Sequence, residues 1–212
     1  RAKRIVEDGL KDINNTAEFE DEFVPYWDSK YCKNDSINHT TLLLDTDFPS
    51  TGEFDVIKLK DHYRGYEYLI HNSSKDSELF QNYLSDYKFK FIKLKGYFLG
   101  ELEIALEPPY SLTNREAINL VEKNFQSISS NFRRFLNKNE HPQIIFFSKV
   151  IHNETKYFGW IHRPVDMNRK GFRPGALKVY DVLKKFKSND FVKRINPEVF
   201  TSKRLINRTT GF

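Results

Sequence analysis

Cysteine is almost missing from this chain: Cys32 is the sole one in 212 residues. One cysteine excludes an internal disulfide framework and points to a fold built for a reducing, intracellular setting, whether nuclear, cytoplasmic or mitochondrial. The lone thiol has no basic motif beside it that would mark a nucleophile. Long apolar runs are missing too. The longest, such as Ile144–Phe147, are strand-sized and far from the ~20 residues of a membrane span. No apolar signal-peptide segment opens the chain. Arg1 is not an initiator residue, so we expect sequence upstream of it. Six Asn-x-Ser/Thr sequons, beginning at Asn14, Asn34, Asn38, Asn72, Asn153 and Asn207, pull toward a lumenal setting.

Chemistry-bearing motifs are equally scarce. The six histidines, His39, His62, His71, His141, His152 and His162, form no His-x-His or His-x3-His pair, so no metal spacing exists. No Gly-rich loop carries the Lys-Ser/Thr of a phosphate site. Gly171-Phe172-Arg173-Pro174-Gly175 has glycines ahead of a helix but reads as a plain exposed loop. We therefore expect no cofactor, no metal and no catalytic residue, and lean away from an enzyme.

Aromatics, by contrast, make up 15% of the chain, with 19 Phe and 11 Tyr. That is enough to build a core without staples. Ile5, Val6, Leu10 and Ile13 predict a short helix, followed by an irregular connection to residue 40. Residues 41–212 then read as one α+β domain, with a conceivable sub-boundary near 139–141. Thr41–Asp45, Glu53–Lys60 and Gly65–Asn72 read as strands. Ser73-Ser74 opens a helix with Leu79, Phe80, Tyr83, Leu84 and Tyr87 on one side. Lys88–Lys95 and Tyr97–Glu107 read as two strands joined tightly at Gly96. In the second, Phe98, Leu102, Ile104 and Leu106 should face a core, and Glu101, Glu103 and Glu107 solvent.

Thr113 with Glu116 makes a capping box. Ile118, Val121, Phe125, Ile128, Phe132 and Phe135 then recur at spacings of 3 and 4, which predicts one long amphipathic helix over about 113–136. It should lie across the sheet. Gln143–Val150 and Lys156–His162 form a hairpin with the loop His152-Asn153-Glu154-Thr155 between them. Two basic helices follow, one from Pro174 through Phe186 and one around Asp190–Ile195, and then an irregular basic tail. The fold expected is mainly antiparallel, with about seven strands.

Charge is uneven. Residues 1–150 hold 20 Lys/Arg against 24 Asp/Glu, a net of −4. Residues 151–212 hold 14 against 5, a net of +9. All of these cations but Lys156 are candidate contacts: Arg163, Arg169, Lys170, Arg173, Lys178, Lys184, Lys185, Lys187, Lys193, Arg194, Lys203, Arg204 and Arg208. Tyr157, Phe158, Trp160 and Phe172 lie among them and could stack on bases. This pattern favours a non-enzymatic binding module of a larger assembly, contacting nucleic acid or an acidic protein face.

Two acidic strand pairs offer a rival reading. Glu53 and Asp55 share a strand face, as do Glu101 and Glu103, and four converging carboxylates would hold a hard cation. Glu101-Leu102-Glu103 resembles the Glu-x-Glu strands of tunnel-type triphosphate hydrolases. Gly52-Glu53-Phe54-Asp55-Val56-Ile57 resembles the opening of some Holliday-junction-type nucleases. These resemblances imply a divalent-metal phosphohydrolase or nuclease. Each covers only a few residues, and the Glu-x-Lys of the nuclease pattern is replaced by Tyr68-Leu69-Ile70-His71-Asn72. A third reading is a purely structural interaction domain.

Overall fold

The computed structural model describes residues 40–43, 51–63, 66–71, 74–103, 113–138, 143–162, 178–185, 193–195 and 197–199. The expected N-terminal helix, the connection up to residue 39 and the tail after 200 lie outside them. The chain folds as mixed α+β around one curled sheet. Five strands form its body: β2 (Gly52–Tyr63), β3 (Tyr66–His71), β4 (Phe91–Glu101), β5 (Gln143–Ile151) and β6 (Glu154–His162). Short strands β1 (Thr40–Leu43), β7 (Lys193–Ile195) and β8 (Pro197–Val199) are added at the edges. In place of the expected about seven strands there are five long ones and three segments of three or four residues. The helices are α1 (Ser74–Asp86), α2 (Asn114–Asn124), α3 (Ser129–Leu136) and α4 (Val179–Lys185).

The strand order is β7-β6-β5-β4-β2-β3-β1-β8. Only Asn196 separates β7 from β8 in sequence. The two edges of the sheet are therefore held by one short stretch of chain, which pairs antiparallel to β6 and then parallel to β1. That is what curls the sheet. Pairing is mixed, because β4–β5 and β1–β3 are also parallel. The β4–β5 pairing needs a long crossover, and α2 and α3 provide it. Elsewhere tight turns suffice. His152 and Asn153 both take positive φ, 52° and 61°, which suits a two-residue hairpin between β5 and β6.

Both faces of the sheet are buried, contrary to the expectation of one wet face. Inside the curl, Phe54, Val56, Tyr68, Ile70, Leu94, Phe98, Ile144, Phe146, Tyr157 and Ile161 pack together. Phe146 is the hub, with ring contacts to Phe54 at 4.9 Å and Phe98 at 5.2 Å. Outside it, α2, α3 and α4 cover Tyr97, Leu99, Ile145, Phe147, Phe158 and Trp160. Farther along the same outer face, α1 covers Ile57, Leu59 and Leu69 through Leu84. β5 and β6 consequently read as nearly continuous apolar runs, as strands buried on both sides do.

Further sequence expectations are corrected. The helix expected over about 113–136 is broken. Phe125 leaves helical geometry at φ −127°, ψ 49°, and a 3₁₀ turn over Gln126–Ile128 joins α2 to α3. Asn124, Ser127, Ser129, Ser130 and Asn131 are weak helix formers at the junction. All six residues of the expected stripe are still buried, because each piece keeps its own apolar face on the sheet. The break bends the helix over a curved surface.

Gly96 is no turn, for one strand runs through it. It sits opposite Phe54, and a Cβ there would come 2.1 Å from the Phe54 ring, so glycine makes room for that ring. The interruption lies instead at Gly100, where φ is +105° and the register against β5 slips between Phe98 and Glu101. The bulge reverses side-chain parity. Phe98 therefore points into the curl while Leu102 joins the outer core, although two-residue alternation would place them on one face.

Finally, Lys193–Ile195 is an edge strand against β6 and not part of a second basic helix. A short apolar-basic run carries too little periodicity to distinguish the two, and the free edge of β6 decides it. On α1, Leu84 is fully buried while Leu79 is 61% exposed. Five residues put Leu79 about 140° around the helix from Leu84. Tyr87, placed on the same side by the sequence, falls past the helix end and is 65% exposed.

Candidate nucleic-acid interface

The basic C-terminal segment is tied to the body through α4. Val179, Val182 and Leu183 are buried at helical spacing and seat the helix on α2 and α3. Polar contacts lock it there. The Tyr180 backbone N–H donates to Asn137 Oδ1 at 2.9 Å, and Arg115 Nε donates to the Lys184 carbonyl at 2.8 Å. Arg133 bonds Asp181 at 3.0 Å and lies over the Tyr180 ring. The Tyr180 hydroxyl donates to Glu122, as does Lys184 Nζ, at 2.8 Å and 2.6 Å to the two carboxylate oxygens. Burial works against ionisation of Glu122, but hydrogen bonds from Lys184 and Tyr180 outweigh it and hold the carboxyl below its ordinary value. Burial and the Glu122 carboxylate together push the Tyr180 phenol far up.

This network sorts the expected contact residues. Lys178 is exposed just ahead of α4. Lys184, read as a contact residue, is engaged with Glu122, so part of the positive charge is used inside the molecule. Lys185 lies on α4, and Lys193 and Arg194 lie on β7 opposite Ile161 and Trp160. Arg163, Arg169, Lys170, Arg173, Lys187, Lys203, Arg204 and Arg208 lie outside the described residues. The interleaved aromatics do not serve as stacking platforms: Tyr157, Phe158 and Trp160 are all buried. Their alternation in β6 reports two cores and not an exposed face. Phe172 lies outside the described residues.

The four carboxylates of the rival reading are not brought together. Glu53 lies on the outer face, where Lys138 at the end of α3 reaches both its oxygens at 2.8 Å and 2.6 Å. Asp55, on that same face, pairs with Lys95 of β4. Glu101 sits beyond the bulge in register with Ser148, the neighbour of Tyr157, on the opposite face. Among the described residues, no three His, Cys, Asp or Glu side chains converge as metal ligands would.

His162 is fully buried at the end of β6. Its Nε2 accepts from Trp160 Nε1 at 2.8 Å, which assigns the ring proton to Nδ1. Nδ1 has no partner among the described residues. Burial depresses its pKa to about 3, so it stays neutral and adds nothing to the basic surface.

Sequence reasoning missed a second group of cations. The run Lys88-Phe89-Lys90-Phe91-Ile92-Lys93-Leu94-Lys95 opens β4, and Lys58-Leu59-Lys60 lies beside it on β2. The signal was present as a lysine-rich run interleaved with apolar residues, but the net −4 of the N-terminal part concealed it. Lys60, Lys88, Lys90 and Lys93 are exposed and have no carboxylate partner among the described residues.

No family model, no curated protein and no solved structure matches this chain. No helix among the described residues is long and apolar enough to cross a membrane.

Proposed function

We propose that this domain is a non-enzymatic binding module of a larger assembly that holds nucleic acid through basic residues of its C-terminal segment, 163–208. The observation that carries this reading is the charge split, +9 over residues 151–212 against −4 before them. The seating of α4, β7 and β8 supports it, because these elements anchor the basic segment at several points of the body. Cations on a preorganised surface lose less freedom on binding than cations on a loose arm. The engagement of Lys184 moves the expected contact toward Lys178 and the loop cations Arg169, Lys170 and Arg173.

Fluorescence anisotropy with labelled single-stranded and duplex oligonucleotides across a salt series tests the reading. Six phosphate contacts to a single strand would give a log K against log salt slope of about −4. Replacing Arg169, Lys170 and Arg173 by Gln should lower that slope by about 2. No binding at low salt, or binding indifferent to salt, overturns the nucleic-acid reading. Capture of an acidic polypeptide in its place would identify the partner as protein.

A further inference from the structure

We propose that the ribbon formed by β2, β3 and the start of β4 is a second anion-binding surface that takes a single-stranded nucleic acid. Lys60, Lys88 and Lys90 would hold phosphates, and Tyr87 would stack on a base. The proposal rests on the nucleic-acid reading above and places a contact surface away from the C-terminal segment.

The register makes the ribbon. β5 begins at Gln143, and Ile144 lies opposite Gly96. Residues 91–94 of β4 thus extend beyond β5 and have β2 as their described neighbour. α1 packs on one face of this extension through Leu84, with Tyr83, Phe89 and Phe91 around it. The other face carries Lys58, Lys60, Lys90 and Ile92, and Ile92 is 40% exposed.

The lysines are arranged at a cost. The Lys60 backbone N–H donates to the Lys90 carbonyl at 2.9 Å, so the two residues lie directly opposite on adjacent strands. Like charges in that relation repel. Four other described lysines have acids: Lys95 has Asp55, Lys138 has Glu53, Lys156 has Glu154 and Lys184 has Glu122. Lys60 and Lys90 face each other with no carboxylate among the described residues. Lys88 adds to this. It stands just past α1 with φ 59°, and the bonds Lys88 N–H to Ser85 O and Phe89 N–H to Leu84 O close a Schellman motif. Glycine is the favoured residue at that position, yet a lysine occupies it. Repulsion between the facing cations is relieved by an arriving polyanion.

The aromatic chooses the single strand. Tyr87 is 65% exposed beside Lys88, and Tyr83 backs its ring at 4.6 Å. A supported, exposed ring next to unpaired lysines provides the stacking and charge that unpaired bases use, whereas duplex bases are already stacked.

The test is anisotropy with the whole chain and three probes of similar length: a labelled oligouridylate, a labelled duplex and a labelled polyglutamate. If K60Q/K90Q removes two phosphate contacts, the single-strand salt slope should fall by about 1.4, and affinity at about 0.1 M salt should fall about 25-fold. Tyr87→Ala should weaken oligouridylate binding about tenfold and leave duplex binding unchanged. Thermal unfolding shows whether the variants keep the fold, which these exposed positions should allow. Unchanged affinity and slope in K60Q/K90Q, with a loss in the Arg169/Lys170/Arg173 variant, would sink this surface and leave the C-terminal reading standing. No wild-type binding to either nucleic acid sinks both. Equal loss of duplex and single strand in K60Q/K90Q with a neutral Tyr87→Ala refutes the single-strand assignment. Polyglutamate binding as tight as oligouridylate refutes the nucleic acid as occupant.

Discussion

Lowering the pH from about 7 to about 5 should destabilise this domain through His162, and a urea series can isolate the effect. The folded pKa of this side chain is depressed to about 3 by burial, against an ordinary value of 6.5. Between those values the unfolded chain binds a proton that the folded chain refuses, so stability falls as pH falls. Above the unfolded value both states are neutral and the group contributes no pH dependence. With 1.36 kcal/mol per pH unit, the loss between about pH 7 and about pH 5 is about 2 kcal/mol. An m-value near 2 kcal/mol/M makes that a drop of about 1 M in the urea midpoint.

Other groups also titrate in this range, so the comparison is with His162→Gln. The variant is expected to be less stable at every pH, since Trp160 Nε1 loses its imidazole acceptor. That offset cancels when each protein is compared with itself at the two pH values. The wild type should lose about 2 kcal/mol more than the variant. Equal losses in both would refute the reasoning, and would mean that an acceptor for Nδ1 or entry of water supports the charged ring.

Gly96→Ala should destabilise the fold by about 1–3 kcal/mol, because the new Cβ enters the space of the Phe54 ring. In a double-mutant cycle with Phe54→Leu the two losses should be strongly non-additive; additive losses would show that the ring can move aside. Tyr180→Phe should cost about 1 kcal/mol by removing the hydroxyl that donates to Glu122. NMR titration should then find the Glu122 pKa raised, because one of the bonds holding it down is lost. The stability that Glu122 contributes is present above the ordinary carboxyl pKa and is lost as pH falls through the folded value, so acid unfolding of the variant should begin at higher pH.

Periodicity and turn chemistry carried much of this architecture. β1 to β3, α1, the capping box at Thr113 and the β5–β6 hairpin lie where their residue patterns put them. These are local decisions: a side-chain cap, a two-residue turn with Asn, an alternating apolar run. The buried stripe from Ile118 to Phe135 was legible for the same reason, because burial repeats with the helical period whether or not the helix is continuous.

What only the tertiary structure decided is non-local. Parity on β4 turns on one bulge at Gly100, which separates Glu101 from Glu53 and Asp55 by a whole sheet face. Sequence alternation alone would have left the four carboxylates on one sheet face. The aromatics of β6 looked available for stacking until helices on one side and the curl on the other buried them. Charge behaved likewise. The sequence established that cations are concentrated toward the C-terminus, but Lys184 is spent on Glu122, while Lys60, Lys88 and Lys90 of an otherwise acidic half have no carboxylate partner among the described residues. Composition counts charges along a chain. Which of them meet, and which are left for a partner, depends on strand register and helix docking, and no window of neighbouring residues contains that information.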